Sequence, residues 1–415
     1  MTALLLTFAW AVPLSEREAE KVLDGGRDRG LLTHLDGDLG DDWAAAENFL
    51  ASYTTPPRRR VLRKRTGGSR LSIRVGAAAL PCELVVTWHP SYHAMTLILA
   101  TTVTGQEADR PAAEFDLAIA VLQSLQGREA VNGNDGLHGS YGEKTFPSLL
   151  KAVTHVFEDL TKGCELSEGL SRKGWCVEVR SHDGHPPAQR VAADPRPFYG
   201  MATGDEGWRF VPREVAREAL GPSWGTRSFV AAYTMAAGIV CLNSKDSDYV
   251  EQQGELMRGP FGADDPYFGI DSEVGGLDHG MLFILERVLI RMALADQWLR
   301  NAQREMQALA AKKLGVMKKP PNRTRLLRGS LDDILEMLHS ALPPEVDSLE
   351  RRLVTSMGVE RIIAQLDRQA EAIDEETRYS YENTVSARVT RLTVVTVVLT
   401  VVTIVLGVLQ VLVSL

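Results

Sequence analysis

One glycine-rich segment of this sequence, GLHGSYGEKT at residues 136–145, has the glycines and the final Lys-Thr pair that phosphate-binding loops use. In such a loop a glycine directly precedes the lysine, because backbone N–H groups must close around the phosphate. Glu143 occupies that position here and would place a carboxylate where the phosphate lies. No clear strand precedes the segment either. We therefore interpret it as a loop without nucleotide chemistry.

Histidine and cysteine offer two further kinds of chemistry. His138 with Cys176 or Cys241 could form a nucleophilic dyad, but both cysteines lie in predicted strands without a glycine-rich turn to hold an oxyanion. The segment SHDGHPP, residues 181–187, offers two imidazoles and a carboxylate to a metal ion, without a second cluster at metal-site spacing. We therefore predict no catalytic residue, no metal and no cofactor. An enzyme site within residues 1–260, in a deep pocket shared by such residues, stays an alternative.

Composition favours a folded protein in a reducing compartment. The 415 residues carry a net charge of −8, which argues against general coating of nucleic acid. The four cysteines form no Cys-x-x-Cys pair and no dense pattern, so neither a disulfide framework nor a structural zinc site is predicted. Cys82, Cys176 and Cys241 lie in apolar runs and are expected to be buried thiols. A cytoplasmic location fits these observations best.

Two basic clusters stand out on this acidic chain. Neither contains an aromatic side chain on which bases could stack, so nucleic-acid binding is disfavoured. The favoured partner is the anionic inner leaflet of a membrane, where each basic residue adds about 1 kcal/mol near the surface. The alternative is solvated loop and edge-strand charge that blunts aggregation. The residues predicted to contact anionic lipid are Arg58, Arg59, Arg60, Arg63, Lys64 and Arg65 in the first cluster, and Lys318, Lys319, Arg323 and Arg325 in the second.

The C-terminal segment, residues 392–415, contains 24 residues and no charge. As a helix it measures roughly 36 Å, enough to cross a hydrocarbon core of about 30 Å with some tilt. Arg378, Arg388 and Arg391 precede it, and this excess of positive charge keeps the preceding side in the cytoplasm. The sequence therefore predicts a tail anchor in the cytoplasmic membrane, with the bulk of the chain in the cytoplasm. A buried core helix is the alternative.

Within this span the residues other than valine, leucine and isoleucine keep a regular spacing. They alternate by three and four residues, which places them on one stripe of a left-handed supercoil. Small and polar side chains on one stripe are typical of helices that associate in lipid, either as a dry bundle or around a narrow pore. The alternative is that each threonine hydroxyl bonds its own i−4 carbonyl and the helix stays alone. The predicted association residues are Thr393, Thr396, Thr400, Thr403, Gly407, Gln410 and Ser414.

For residues 1–260, the larger part of the chain, the sequence predicts an α+β N-terminal cytoplasmic domain with a mainly antiparallel sheet. Two short runs on either side of Gly67-Gly68 predict one β-hairpin, and residues 83–103 predict another. Residues 181–207 are rich in glycine and proline. They are expected to form a loop or linker that could divide the domain into two lobes.

A helical region and stalk are predicted at residues 277–391, before the transmembrane helix at 392–415. The first helix, 277–314, is apolar on nearly every face near its start, so it must be buried in a bundle or between subunits. The last helix begins near Val359 and continues into the span, either as an oligomeric coiled-coil stalk or as an amphipathic helix lying on its own chain. The residues of its stripe are Ile363, Leu366, Ala370, Ile373, Thr377, Ser380 and Thr384.

This layout resembles the CorA-like divalent cation channels. The segment SARVTRLTVVTVVLTVV, residues 386–402, is similar to the junction between stalk and membrane in that family, and the order of domain, long helices and span matches over residues 277–415. The chain departs from the family in having one span instead of two and no Gly-Met-Asn signature. Cation selectivity and site residues are therefore not carried over. The resemblance implies an oligomeric stalk that leads into a membrane bundle.

Three functions are consistent with the sequence. The first is a non-enzymatic, tail-anchored membrane protein that forms homo-oligomers and whose cytoplasmic domain senses or recruits a protein partner. The second is a pore-forming or membrane-perturbing effector, of the kind bacteria use in signalling or defence. The third is a membrane-tethered enzyme. We expect the first.

Overall fold

The computed structural model shows two compact units along the chain. The sheet unit comprises residues 1–297 and 333–362, and the helical unit comprises residues 298–332 and 363–415. These units divide the chain differently from the sequence-based boundaries at residues 260, 277 and 392, which remain predictions. The structure describes residues 2–15, 17–22, 62–65, 71–75, 78–89, 92–104, 113–126, 138–160, 162, 172–181, 185–225, 230–236, 238–244, 277–313, 331 and 344–414.

One large sheet dominates the sheet unit. Its described strands follow the order β7-β6-β3-β4-β5-β1-β8-β10-β9, with β2 pairing to β4 as well. Neighbours are antiparallel except for β8 with β10, which are parallel. The strands are β1 Thr2–Pro13, β2 Leu62–Arg65, β3 Leu71–Val75, β4 Ala78–His89, β5 Ala94–Thr104, β6 His138–Tyr141, β7 Lys144–Phe146, β8 Arg172–Ser181, β9 Val230–Met235 and β10 Gly238–Ser244.

Helices alternate with strands in the first part of the chain and follow the last described strand in the second part. They are α1 Ala113–Leu125, α2 Leu149–Leu160, α3 Pro187–Ala193, α4 Arg196–Thr203, α5 Arg213–Leu220, α6 Leu277–Lys313, α7 Pro344–Ser356 and α8 Val359–Ser414, with a 3₁₀ turn at Glu206–Phe210. The predicted fold class is confirmed. An N-terminal region with a mainly antiparallel sheet precedes helices and one C-terminal apolar helix.

Three local predictions are wrong. The segment at residues 136–145, expected to be a loop, contains β6 and the start of β7, which pair as a hairpin around the turn at Gly142. The runs beside Gly67-Gly68 do not pair with each other as a hairpin, because β2 and β3 each pair with β4, at Val85–Trp88 and at Ala78–Cys82. The expected loop at residues 181–207 contains α3 and α4. Its prolines do not break these helices, because each helix has proline in its first turn, where the N–H would have no intrahelical partner. The division into lobes remains a prediction.

The two faces of the sheet differ in character. Successive side chains of a strand point to opposite faces. One face buries Leu6 and Phe8 of β1, Leu97 of β5 and Val177 of β8 in a common apolar core with α1, α2 and α4. The other face buries polar groups, including Thr7, Thr96 and Glu178. On this second face the Thr96 hydroxyl donates to Glu286 of α6 at 2.5 Å. The part of α6 that belongs to the sheet unit, up to residue 297, therefore lies on this polar face.

Gly238 lies where β10 meets β8, at φ +150°. A Cβ built there would stand 1.8 Å from the carbonyl oxygen of Trp175. We expect Gly238→Ala to lower the free energy of unfolding by about 2–3 kcal/mol, because two paired strands must separate. Gly142→Ala is the control. It also has a positive φ of +59°, but nothing lies within 4 Å of its Cβ position, so it should cost about 1–2 kcal/mol. Equal losses in urea unfolding would contradict the close approach.

Candidate membrane anchor

Helix α8 contains a segment long and apolar enough to cross a membrane. Val385–Gln410 comprises 26 residues and contains an 18-residue stretch with a mean hydropathy of 2.8, and no residue of the segment is buried. Among the described residues it is the one helix with these properties. The alternative of a buried core helix is wrong, because side chains such as Leu392, Leu399 and Ile404 are 60–66% exposed. An apolar surface of this extent needs a lipid or protein environment.

The threonine hydroxyls of this span are hydrogen-bonded within the helix. Those of Thr393, Thr396, Thr400 and Thr403 donate to the carbonyls four residues earlier, at 2.8–2.9 Å. This is the arrangement expected for a lone helix in lipid, and it explains how the span tolerates four hydroxyls. The helix surface is also open at Gly407, where an added Cβ would have no neighbour within 4 Å. Self-association along the stripe remains a prediction.

The part of α8 before the span buries its apolar stripe within the chain. Leu366 is fully buried and Ile373 is 4% exposed, whereas Asp367, Arg368 and Glu371 between them are exposed. A solvent-facing oligomeric stalk would leave these two apolar residues exposed in a single chain. Burial of these two side chains in a single chain favours the amphipathic alternative for this part of α8, and the oligomeric stalk stays a prediction. The remaining stripe residues Thr377, Ser380 and Thr384 have side chains outside the described part.

A short turn in the sheet unit joins α7 to α8. Helix α7 ends at Ser356, and Gly358 has the left-handed φ of +71° that commonly terminates helices. The Met357 N–H donates to the Leu353 carbonyl at 2.8 Å, and the Gly358 N–H donates to the Thr355 carbonyl at 3.1 Å. These bonds satisfy the last carbonyls of α7 and fix the turn from which α8 begins.

Side-chain contacts hold α7 against the sheet unit. The indole N–H of Trp224 donates to the Ser348 hydroxyl at 2.7 Å. The hydroxyls of Thr234 in β9 and Ser356 lie 3.0 Å apart. Helix α7, which leads directly into the membrane helix, is thus anchored to the β9 edge of the sheet.

A buried charge cluster adds the strongest constraint on α7. Arg287 and Arg291 of α6 both contact the carboxylate of Glu350 in α7, with Arg287 Nε 3.0 Å from Oε1. All three side chains are at most 6% exposed. Burial lowers the pKa of Arg291 to about 10, so its guanidinium is still charged at neutral pH. Burial also raises the pKa of the Tyr92 hydroxyl nearby. The cluster fixes α6 and α7 to one another by ionic hydrogen bonds in a dry environment.

The structure separates His138 from the cysteines with which it could have formed a dyad. His138 lies in β6 and Cys241 in β10, six positions apart in the sheet order. At about 4.8 Å per strand this separates them by roughly 29 Å. Cys82, Cys176 and Cys241 are buried, as predicted. Across the part of the chain that the structure describes, no group of three metal-ligating side chains occurs. His182 lies outside the described residues.

Comparison with known proteins adds no relative. No protein-family model, no curated protein and no solved structure matches this chain. The resemblance to CorA-like channels therefore remains an expectation from the sequence, and function has to be argued from the geometry.

The predicted lipid-contacting residues are only partly described. Arg63, Lys64 and Arg65 lie in β2, which pairs with β4. Contact with anionic lipid remains a prediction for these strand residues. The other members of both clusters, which are Arg58, Arg59, Arg60, Lys318, Lys319, Arg323 and Arg325, lie outside the described residues.

Proposed function

We propose that this chain is a single-pass, non-enzymatic membrane protein, anchored by α8, that displays a sensing or recruitment domain on the cytoplasmic side and self-associates through its span. The observation that carries the proposal is the wholly exposed apolar segment Val385–Gln410 on a chain whose other described apolar side chains are mostly buried. Such a segment is stable only in lipid or against another apolar surface.

The charge distribution supports the orientation. Arg388 and Arg391 are exposed on the domain side of the charge-free part of α8. Basic residues flanking a span stay preferentially in the cytoplasm. Arg378, nearly three turns before Arg388, is already paired with Glu382. The domain that precedes the span therefore stays on the cytoplasmic side.

The polar stripe supports self-association between copies. The hydroxyls of Thr400 and Thr403 already have intrahelical partners, so they form a compact stripe that permits close helix approach. The Gln410 amide is costlier in lipid, and a second copy can supply its hydrogen bond. Gln410→Leu should therefore weaken association by about 1–2 kcal/mol.

Cysteine cross-linking in bilayers tests the stripe. Thr400→Cys is expected to give a disulfide-linked dimer on mild oxidation. Val402→Cys, about 200° around the same helix, should give little. Both are compared with the unmodified chain, because native cysteines set the background. Equal cross-linking at both positions would contradict a specific seam, and none at either would contradict self-association.

Dye release from vesicles separates a closed bundle from a pore. The proposal expects the reconstituted oligomer to leave the vesicles sealed. Leakage that Thr400→Leu with Thr403→Leu abolishes, while membrane insertion persists, would instead support a pore-forming effector.

A further inference from the structure

Two large apolar side chains are exposed to solvent on the sheet unit. Phe210 is 90% exposed at the end of the 3₁₀ turn, and Val215 is 50% exposed in α5. No other large apolar side chain among the described residues of this unit is exposed. A single exposed apolar side chain is common on soluble proteins. The groups around this pair therefore decide whether it has a function.

Contacts with neighbouring elements fix the turn that presents Phe210. The preceding Trp208 is buried, and its indole N–H donates to Asp116 of α1 at 3.0 Å. The Arg209 guanidinium lies 4.4 Å from the centroid of the Trp208 ring and donates to the same carboxylate at 2.6 Å. Arg196 donates to the Arg209 carbonyl at 3.3 Å. Because this backbone is already ordered, a partner that covers the Phe210 ring does not have to order it.

Helix α5 carries charges of both signs beside these apolar side chains. Its two buried residues face the unit, and all of its charged side chains are exposed. Arg213 and Arg217 each lie about 100° around the helix axis from the next residue, Glu214 and Glu218 respectively. Neither glutamate forms an ion pair with any residue that the structure describes. Both carboxylates can therefore meet cations from another molecule.

This charge pattern fits a second copy of the same surface. An anionic membrane would attract the arginines but repel the glutamates beside them, and a strongly acidic or basic protein would meet the same conflict. Two copies related by a two-fold axis present both signs to each other, so the arginines of one copy can face the glutamates of the other. We define the α5 surface by six residues, Phe210, Arg213, Glu214, Val215, Arg217 and Glu218.

The size of the α5 surface suits copies that are already held together. A stable interface between free proteins buries about 800 Å² on each partner. A buried aromatic side chain contributes only about 150–250 Å² of such an area. Free chains would therefore not pair through this surface alone. Copies associated through their spans have an effective concentration of the order of mM, at which a small contact is enough.

We propose that the α5 surface is the contact between the cytoplasmic domains of two associated copies. The partner covers the Phe210 ring, and Arg217 of each copy faces Glu218 of the other. This contact rests on the proposed function, because the span brings the two copies together. The α5 surface then determines how their domains meet.

Maleimide cross-linking of the full chain in vesicles tests the proposal. Ala219→Cys reports on the α5 surface without changing its six residues, because Ala219 is exposed on α5. A short bismaleimide is expected to link these chains into dimers. Thr154→Cys is the control, at an exposed position of α2, which packs on β6 and β7 at the opposite end of the sheet from β9 and α5. It should give no more dimer than the unmodified chain.

Further substitutions in the Ala219→Cys chain identify what holds the contact. Phe210→Ser should lower the yield of dimer roughly tenfold, because the central apolar group is lost. Glu218→Arg and Arg217→Glu should each lower it as well, because like charges then face each other. When these two charge variants are reconstituted together, the dimer should return, because every arginine again faces a glutamate. Melting curves show that each variant is folded.

Three results would overturn the proposal. They are equal linking at Ala219→Cys and Thr154→Cys, an unchanged yield with Phe210→Ser, and no recovery when the two charge variants are mixed. Cross-linking through Thr400→Cys in the span is measured in parallel. Linking at Thr400 without linking at Ala219 refutes only the α5 contact. Absence of linking at Thr400 refutes the self-association on which that contact rests.

Discussion

Glu350→Gln is expected to lower the free energy of unfolding of the sheet unit by about 3–5 kcal/mol. The substitution keeps the shape of the side chain but removes the negative charge that Arg287 and Arg291 both contact in a nearly water-free site. Both arginines stay charged at neutral pH, because even the lowered pKa of Arg291 is about 10. Two like charges then remain buried without this counter-ion. Urea unfolding followed by far-UV circular dichroism measures the loss.

Asp347→Asn is the comparison for this prediction. It removes a carboxylate one turn away on the same helix, whose ion-pair partner Arg351 is 79% exposed and which acts on Arg291 more weakly than Glu350 does. Solvated pairs of this kind contribute at most about 1 kcal/mol. If the two substitutions destabilise the unit equally, the cluster does not hold α7 in the way described.

Removal of residues 392–415 is expected to transfer the protein completely from the membrane pellet to the soluble fraction after alkaline extraction. Seventeen residues of this segment are valine, leucine or isoleucine. At roughly 0.3–0.6 kcal/mol each they favour insertion by about 5–10 kcal/mol. No other described helix is long and apolar enough to replace it.

A double substitution within the full chain tests the same point without truncation. Val398→Arg with Val402→Arg places two charges near the middle of the span, at a cost of about 5–7 kcal/mol. We expect most of this variant in the soluble fraction. Val398→Leu with Val402→Leu keeps the span apolar and should stay in the membrane. Membrane retention of the arginine variant would show that something other than α8 holds the protein there.

Local features of the fold could be predicted from the sequence because their causes are local. Ser15 and Glu18 have the three-residue spacing of a capping box, and in the structure the Ser15 N–H donates to the Glu18 carboxylate at 2.9 Å. The membrane segment follows from 24 uncharged residues. In both cases the residues that define the feature are neighbours in the chain, so no knowledge of the tertiary structure was needed.

The charge cluster and the contacts that fix the Phe210 turn could not be predicted, because their partners are far apart in sequence. Arg287 and Glu350 are separated by 63 residues, and Asp116 lies 93 residues before Arg209. In the sequence, Arg287 and Arg291 only interrupt an apolar run. That interruption was the available signal, since charges inside a helix that must be buried require a counter-ion elsewhere. It could not identify Glu350. The prolines of α3 and α4 wrongly indicated a loop for a related reason. Proline is compatible with the first turn of a helix, and the sequence does not show where these two helices begin.

The order of residues in the charge cluster has a consequence for biosynthesis. A nascent chain that ends before Glu350 contains Arg287 and Arg291 without the carboxylate that lets them leave water. Helix α6 thus cannot settle on the polar face of the sheet until translation has passed α7. The hydrophobic segment begins 42 residues after Glu350, a few seconds of elongation later. Glu350, the counter-ion that closes the sheet unit, and the hydrophobic segment are therefore synthesised within the same brief interval.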